Sequence, residues 1–247
     1  GIVASGHYQA AWALSGLFAG FVLTAMGMDF YPRLAAVAHN HKAATRAINE
    51  QMEIGVLLSL PGLLAMQALA KPIVNLFYST KFSPAAELLV WMVVGVFGRI
   101  VSWPMGYVQL ALGAGRWFIV TETLFHVVQG GLVFFFVANY GLLGAAYGFA
   151  AFYVIHVVGM YCIARRLIGF NWSAECAKLV GIAACAVAIS LCLERMLAPR
   201  PAMLLGCLIA SIAGVWSLRG LGTRLGESHP LSIWLHRARV LRRSGVA

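Results

Sequence analysis

Residues 94–117, VGVFGRIVSWPMGYVQLALGAGRW, put a fixed positive charge, Arg99, inside an apolar run long enough to cross a bilayer. A guanidinium near the bilayer centre costs about 2.5 to 3.5 kcal/mol on insertion scales, so such residues face a bundle interior or a wet cavity. Five residues on, Pro104 removes a backbone donor and predicts a kink in the same helix. A kinked helix with a buried cation points to a polar path through a membrane. A structural ion pair, or a side chain snorkelling to the headgroups, is the alternative account of Arg99.

Composition sets the class. Hydrophobic residues make up 61% of the chain and charged residues 11%, against about a quarter charged in soluble domains. Mean hydropathy is +0.83. An all-α integral membrane protein, a polytopic transmembrane helix bundle, is expected. The net charge of +10 is explained first by basic loops beside apolar spans and by anionic lipid, so no nucleic-acid partner is expected. Cys162, Cys176, Cys185, Cys192 and Cys207 lack the paired spacing of a metal site and read as small core residues. No metal, no cofactor and no catalytic residue is expected.

About seven spans can be read along the chain: 7–28, 54–70, 87–115, 117–139, 141–164, 179–193 and 202–218. In the first, Gly16 and Gly20 form a small-xxx-small face that predicts close helix packing. It is expected to end at residues 29–33, DFYPR, at a membrane interface. Residues 39–53 read as a short surface helix leading into the second span, which Pro61 and Gly62 soften and which closes at Lys71-Pro72. Residues 75–86 read as a loop with interfacial aromatics. In the fourth span Glu122, His126 and Gln129 fall on one helix side, and the fifth contains Tyr153 and His156.

Charge orients this bundle. One set of ends holds Arg33, Lys42, Arg46, Arg116, Arg165, Arg166, Lys178, Arg219, Arg224, Arg237, Arg239, Arg242 and Arg243; the other holds only Lys71, Lys81, Arg195 and Arg200. The richer side, with the C-terminus, is expected to be cytoplasmic. Seven crossings then put Gly1 outside, with no signal peptide visible, so helices upstream of Gly1 are expected. In the tail, Leu231, Trp234, Leu235, Ala238 and Leu241 recur at helical spacing among arginines, as in a helix lying on anionic lipid, although a disordered basic tail fits the same composition.

GHYQAAW (6–12), MDFYPRL (28–34), NEQMEI (49–54), FYSTKF (77–82) and GRIVSWPMGYVQLALGAGRW (98–117), in this order, resemble bacterial O-antigen flippases. These are lipopolysaccharide-biosynthesis polysaccharide transporters of the multidrug/oligosaccharidyl-lipid/polysaccharide flippase superfamily. The resemblance covers residues 5–170, and the chain departs from the first motif at His7, where tyrosine is expected. It implies two six-helix bundles around a central cavity. Residues 1–168 would be most of the second bundle, 169–218 an additional C-terminal transmembrane hairpin, and 219–247 a basic cytoplasmic tail, with the N-terminal bundle missing. The implied activity is not enzymatic: alternating-access transport of an undecaprenyl-diphosphate-linked oligosaccharide across the bacterial inner (cytoplasmic) membrane. Arg99 becomes the candidate for meeting the diphosphate, because a guanidinium can bond two phosphate oxygens at once. Glu122 and His126 are ion-coupling candidates, since both types exchange protons near neutrality when partly buried. They could equally be a counter-ion for Arg99 and a satisfied core histidine. A cation-coupled multidrug exporter of the same superfamily is the alternative, and a polysaccharide polymerase or ligase embedded in the membrane is a third reading.

Overall fold

A computed structural model describes residues 1–224, and these residues fold entirely into helices and short connections. The helices are α1 Ile2–Val37, α2 His41–Ala68, α3 Ala70–Phe77, α4 Pro84–Ala111, α5 Gly115–Tyr140, α6 Leu142–Ile168, α7 Ala174–Met196 and α8 Pro199–Arg224, with a single 3-10 turn at Thr80–Phe82. Five helices, α4 to α8, are long and apolar enough to cross a membrane, the mark of a multi-pass membrane protein; the number rises to seven if each of two bent pairs is one span. The tail helix expected around Trp234 lies outside the described residues.

The two bends do not fall at Pro32 or Pro61, the prolines inside α1 and α2. α1 continues past the expected stop at 29–33 to Val37, with Pro32 inside it, and bends by 43° between Ile2–Thr24 and Met26–Val37. Residues 39–53 are no separate surface helix. They are the first half of α2, started by Asn40, whose side chain accepts the Ala43 N–H at 3.2 Å. Their polar side chains Asn49, Gln51 and Glu53 are buried. The second span closes earlier than Lys71-Pro72, at Ala68, where the chain turns 81° into α3. Pro72 is tolerated in the first turn of α3, where its missing N–H would have had no intrahelical partner. Part of the stretch expected as loop, 75–86, is therefore helical. α4 runs unbroken through the buried Pro104, so the kink expected there does not interrupt it.

α4 is the central element, packed chiefly on α6 and then on α1 and α2, while α8 lies along α2. Small residues bring these backbones together, but not the pair expected. Among the described residues nothing lies within 4 Å of a side chain added at Gly16 or Gly20; on α4, a Cβ at Gly98 would sit 2.9 Å from the Tyr153 Cβ of α6. On α6, a Cβ at Gly144 would run into the Phe136 carbonyl of α5. That contact is backbone, which cannot swing aside. Gly144→Val is accordingly expected to lower stability by about 2 kcal/mol or more, read as thermal unfolding in detergent. An unchanged midpoint would mean that α5 and α6 do not meet this closely.

Candidate functional site

α4, α5 and α6 enclose a cavity of about 280 Å³ between them. Helical periodicity explains the lining. Arg99, Ser102, Trp103 and Tyr107 share one face of α4, Glu122, His126 and Gln129 one face of α5, and Tyr153, His156 and Met160 one face of α6. Glu122, His126 and Gln129 thus sit on a common side, and that side faces the same space as Arg99. α5 has no buried residue, so these groups are covered only from the α4 and α6 side.

Arg99 makes no ion pair within 4.0 Å among the described residues. Glu122 therefore does not act as its direct counter-ion in this arrangement. The group facing Glu122 is His156, with Nε2 4.0 Å from Oε1. The other ring nitrogen, Nδ1, lies 2.9 Å from the Ser102 Oγ, and that hydroxyl donates to the Arg99 carbonyl at 3.2 Å. One hydroxyl carries one proton. With it given to the carbonyl, Oγ must accept, so Nδ1 carries a hydrogen and donates. In a neutral ring, Nε2 then presents a lone pair towards the Glu122 carboxylate. The two acceptors face each other at 4.0 Å, beyond hydrogen-bond distance, in a space framed by Phe125, Phe152 and Tyr153, whose ring centroids stand 4.7, 5.4 and 5.6 Å from that of His156.

His126 is arranged differently. Its Nδ1 donates to the Glu122 carbonyl one turn back at 2.7 Å, and the residue is exposed. That nitrogen is satisfied by its own helix. Of the cavity groups, Ser102 is not singled out in the sequence and His156 is noted there beside Tyr153 without being taken as a site residue; both stand at helical spacing on a lining face, Ser102 three residues after Arg99 and His156 three after Tyr153. Pro104 is buried on α4 and does not line the cavity.

The quoted motifs also meet in space. His7 Nε2 lies 3.2 Å from the Lys81 carbonyl and its ring meets Phe82 edge-on at 5.5 Å, joining 6–12 to 77–82. Phe30 and Tyr31 pack on Tyr107 at 6.0 and 5.7 Å, joining 28–34 to 98–117. Arg33 donates to Gln51 Oε1 at 2.9 Å, joining 28–34 to 49–54. No protein-family model matches the chain, and no curated protein matches it.

Proposed function

We propose that the chain belongs to a flippase that carries an undecaprenyl-diphosphate-linked oligosaccharide across the bacterial inner membrane by alternating access. The observation that carries the reading is Arg99: a cation on the central helix, facing a cavity that Glu122, His126 and His156 also line, with no carboxylate within ion-pair distance among the described residues. An anionic ligand is what such a group lacks. A diphosphate needs what this face offers, because its charge cannot enter hydrocarbon unaided and a guanidinium can hold two of its oxygens. The order of the five motifs supports the same class. In this reading residues 1–168 belong to the second of two bundles, 169–218 form an added hairpin, the N-terminal bundle of the same protein completes the central cavity, and the C-terminus is cytoplasmic.

A proton taken up at the pair Glu122 and His156 would give alternating access a source of drive. The two side chains face each other at 4.0 Å and stand on the two helices that flank the Arg99 face. Glu122→Gln and His156→Gln are each expected to reduce transport by several-fold, less than loss of Arg99. The double variant is expected to be no worse than the more damaging single, since either change empties the same site. Additive losses, scored as surface polysaccharide at matched protein level, would refute the shared site.

The whole reading is tested by deleting the full gene and analysing cell-surface polysaccharide. Loss of long polysaccharide with accumulation of its lipid-linked precursor inside the cell is expected. A cation-coupled multidrug exporter would instead leave the polysaccharide intact and change growth in the presence of drugs. A polymerase or ligase would leave precursor on the outer leaflet.

A further inference from the structure

At the end of the bundle where α2 turns into α3, a second cavity of about 680 Å³ lies among α3, α4, α7 and α8. Two features fix its depth. α3 leaves α2 at 81°, so with α2 along the membrane normal α3 lies close to the membrane plane. It also exposes Leu76, Phe77 and Tyr78 by 79%, 67% and 42%, as an interfacial helix does. The cavity beside it is therefore at headgroup level.

Its lining carries Lys71, Arg195 and Arg200 against Glu87 and Glu194. Three helices begin at its wall, α3 with Lys71, α4 with Pro84 and α8 with Arg200, so the positive ends of their dipoles lie on this side. Arg195 also lines it but is already neutralised, bonded to Glu87 at 2.6 Å and lying over the Trp91 ring at 5.5 Å. Glu194 contributes a carboxylate with one oxygen sealed from solvent. Lys71 and Arg200 have no ion-pair partner within 4.0 Å among the described residues. Two unpaired cations against the one unpaired carboxylate of Glu194, with three helix dipoles beginning here at headgroup depth, leave the cavity net positive and suited to a phosphate. Val90, Leu197 and Met203 add an apolar wall, and Leu204, one turn into α8, is 66% exposed on the flank, where an acyl chain would run.

We propose that this cavity binds the headgroup phosphate of an anionic phospholipid, with Lys71 and Arg200 as the phosphate contacts. The site is separate from the Arg99 cavity and stands whichever substrate that cavity takes.

The test uses the full-length protein in detergent, titrated with phosphatidylglycerol, phosphatidylcholine or inorganic phosphate, with bound lipid counted by native mass spectrometry. Phosphatidylglycerol is expected to bind at least tenfold tighter than phosphatidylcholine and to resist displacement by millimolar inorganic phosphate. Lys71→Gln with Arg200→Gln is expected to weaken it about thirtyfold, the effect of removing two interfacial basic residues, while Lys42→Gln leaves it unchanged. Should the double variant not fold, Lys71→Arg with Arg200→Lys must keep the preference for phosphatidylglycerol, and the wild type must show a higher unfolding temperature with phosphatidylglycerol than with phosphatidylcholine. Equal binding of the two lipids, unchanged affinity in the neutral variant, or displacement by inorganic phosphate, which would make this a free-phosphate site, each overturns the proposal.

Discussion

Arg99→Ala is expected to abolish restoration of surface polysaccharide in a flippase-deficient strain, with the full-length protein still present in the membrane at near-normal level. The separation of activity from abundance follows from the surroundings of the side chain. Arg99 lines a cavity and holds no carboxylate within 4.0 Å among the described residues, so its removal leaves no buried charge unpaired. A structural ion pair would behave in the opposite way, since deleting one partner of a buried pair costs about 3 to 5 kcal/mol. Arg99→Lys should retain part of the activity: the charge survives and the two-pronged geometry does not. Disappearance of the Ala variant from the membrane would make Arg99 a folding residue, and an unchanged polysaccharide profile at equal protein level would remove it from the substrate path.

What the sequence made visible divides along the range of the interactions involved. Each of the seven expected spans coincides with a long helix, because a run of apolar residues is a local property and bilayer thickness sets its length. The face shared by Glu122, His126 and Gln129 was legible for the same reason. The errors arose where distant partners decide. Residues 39–53 looked like a solvated connector because they are polar; in the fold Asn49 donates to the Asn171 carbonyl at 3.1 Å and accepts the Ser173 N–H at 2.9 Å, across 122 and 124 positions of chain. Such partners turn polar residues into buried helix. His126 and His156 are alike as letters in apolar spans. Only the rotation of α5 and α6 decides that one bonds its own backbone and the other meets Glu122 and Ser102. The small-xxx-small face was misplaced because spacing shows where a helix could approach closely, and only the partner's position shows where it does.

Arg224→Ala is expected to destabilise the bundle by about 3 kcal/mol, more than Glu53→Gln does. The two side chains form an ion pair between the end of α8 and the middle of α2, with Nε 2.6 Å from Oε2. They are not equally buried, the Glu53 side chain being 10% exposed and that of Arg224 27%. Without Arg224, a nearly enclosed carboxylate keeps, among the described residues, the Ser173 hydroxyl 3.5 Å away. Without the Glu53 charge, Arg224 still donates to the Gly220 carbonyl at 3.3 Å and has a path to water. The penalty of an unpaired charge therefore falls mainly on the carboxylate. Because Ser173 also caps α7 by accepting the Cys176 N–H at 3.0 Å, the strain should reach the start of α7 and loosen the hairpin of α7 and α8 from α2. Thermal unfolding in detergent should rank the wild type above Glu53→Gln and that above Arg224→Ala, with the pair Glu53→Leu and Arg224→Met recovering much of the loss, as buried ion pairs replaced by apolar groups do. The reverse ranking of the single variants, or a double variant as unstable as both losses combined, would show that the pair does not hold the hairpin to α2.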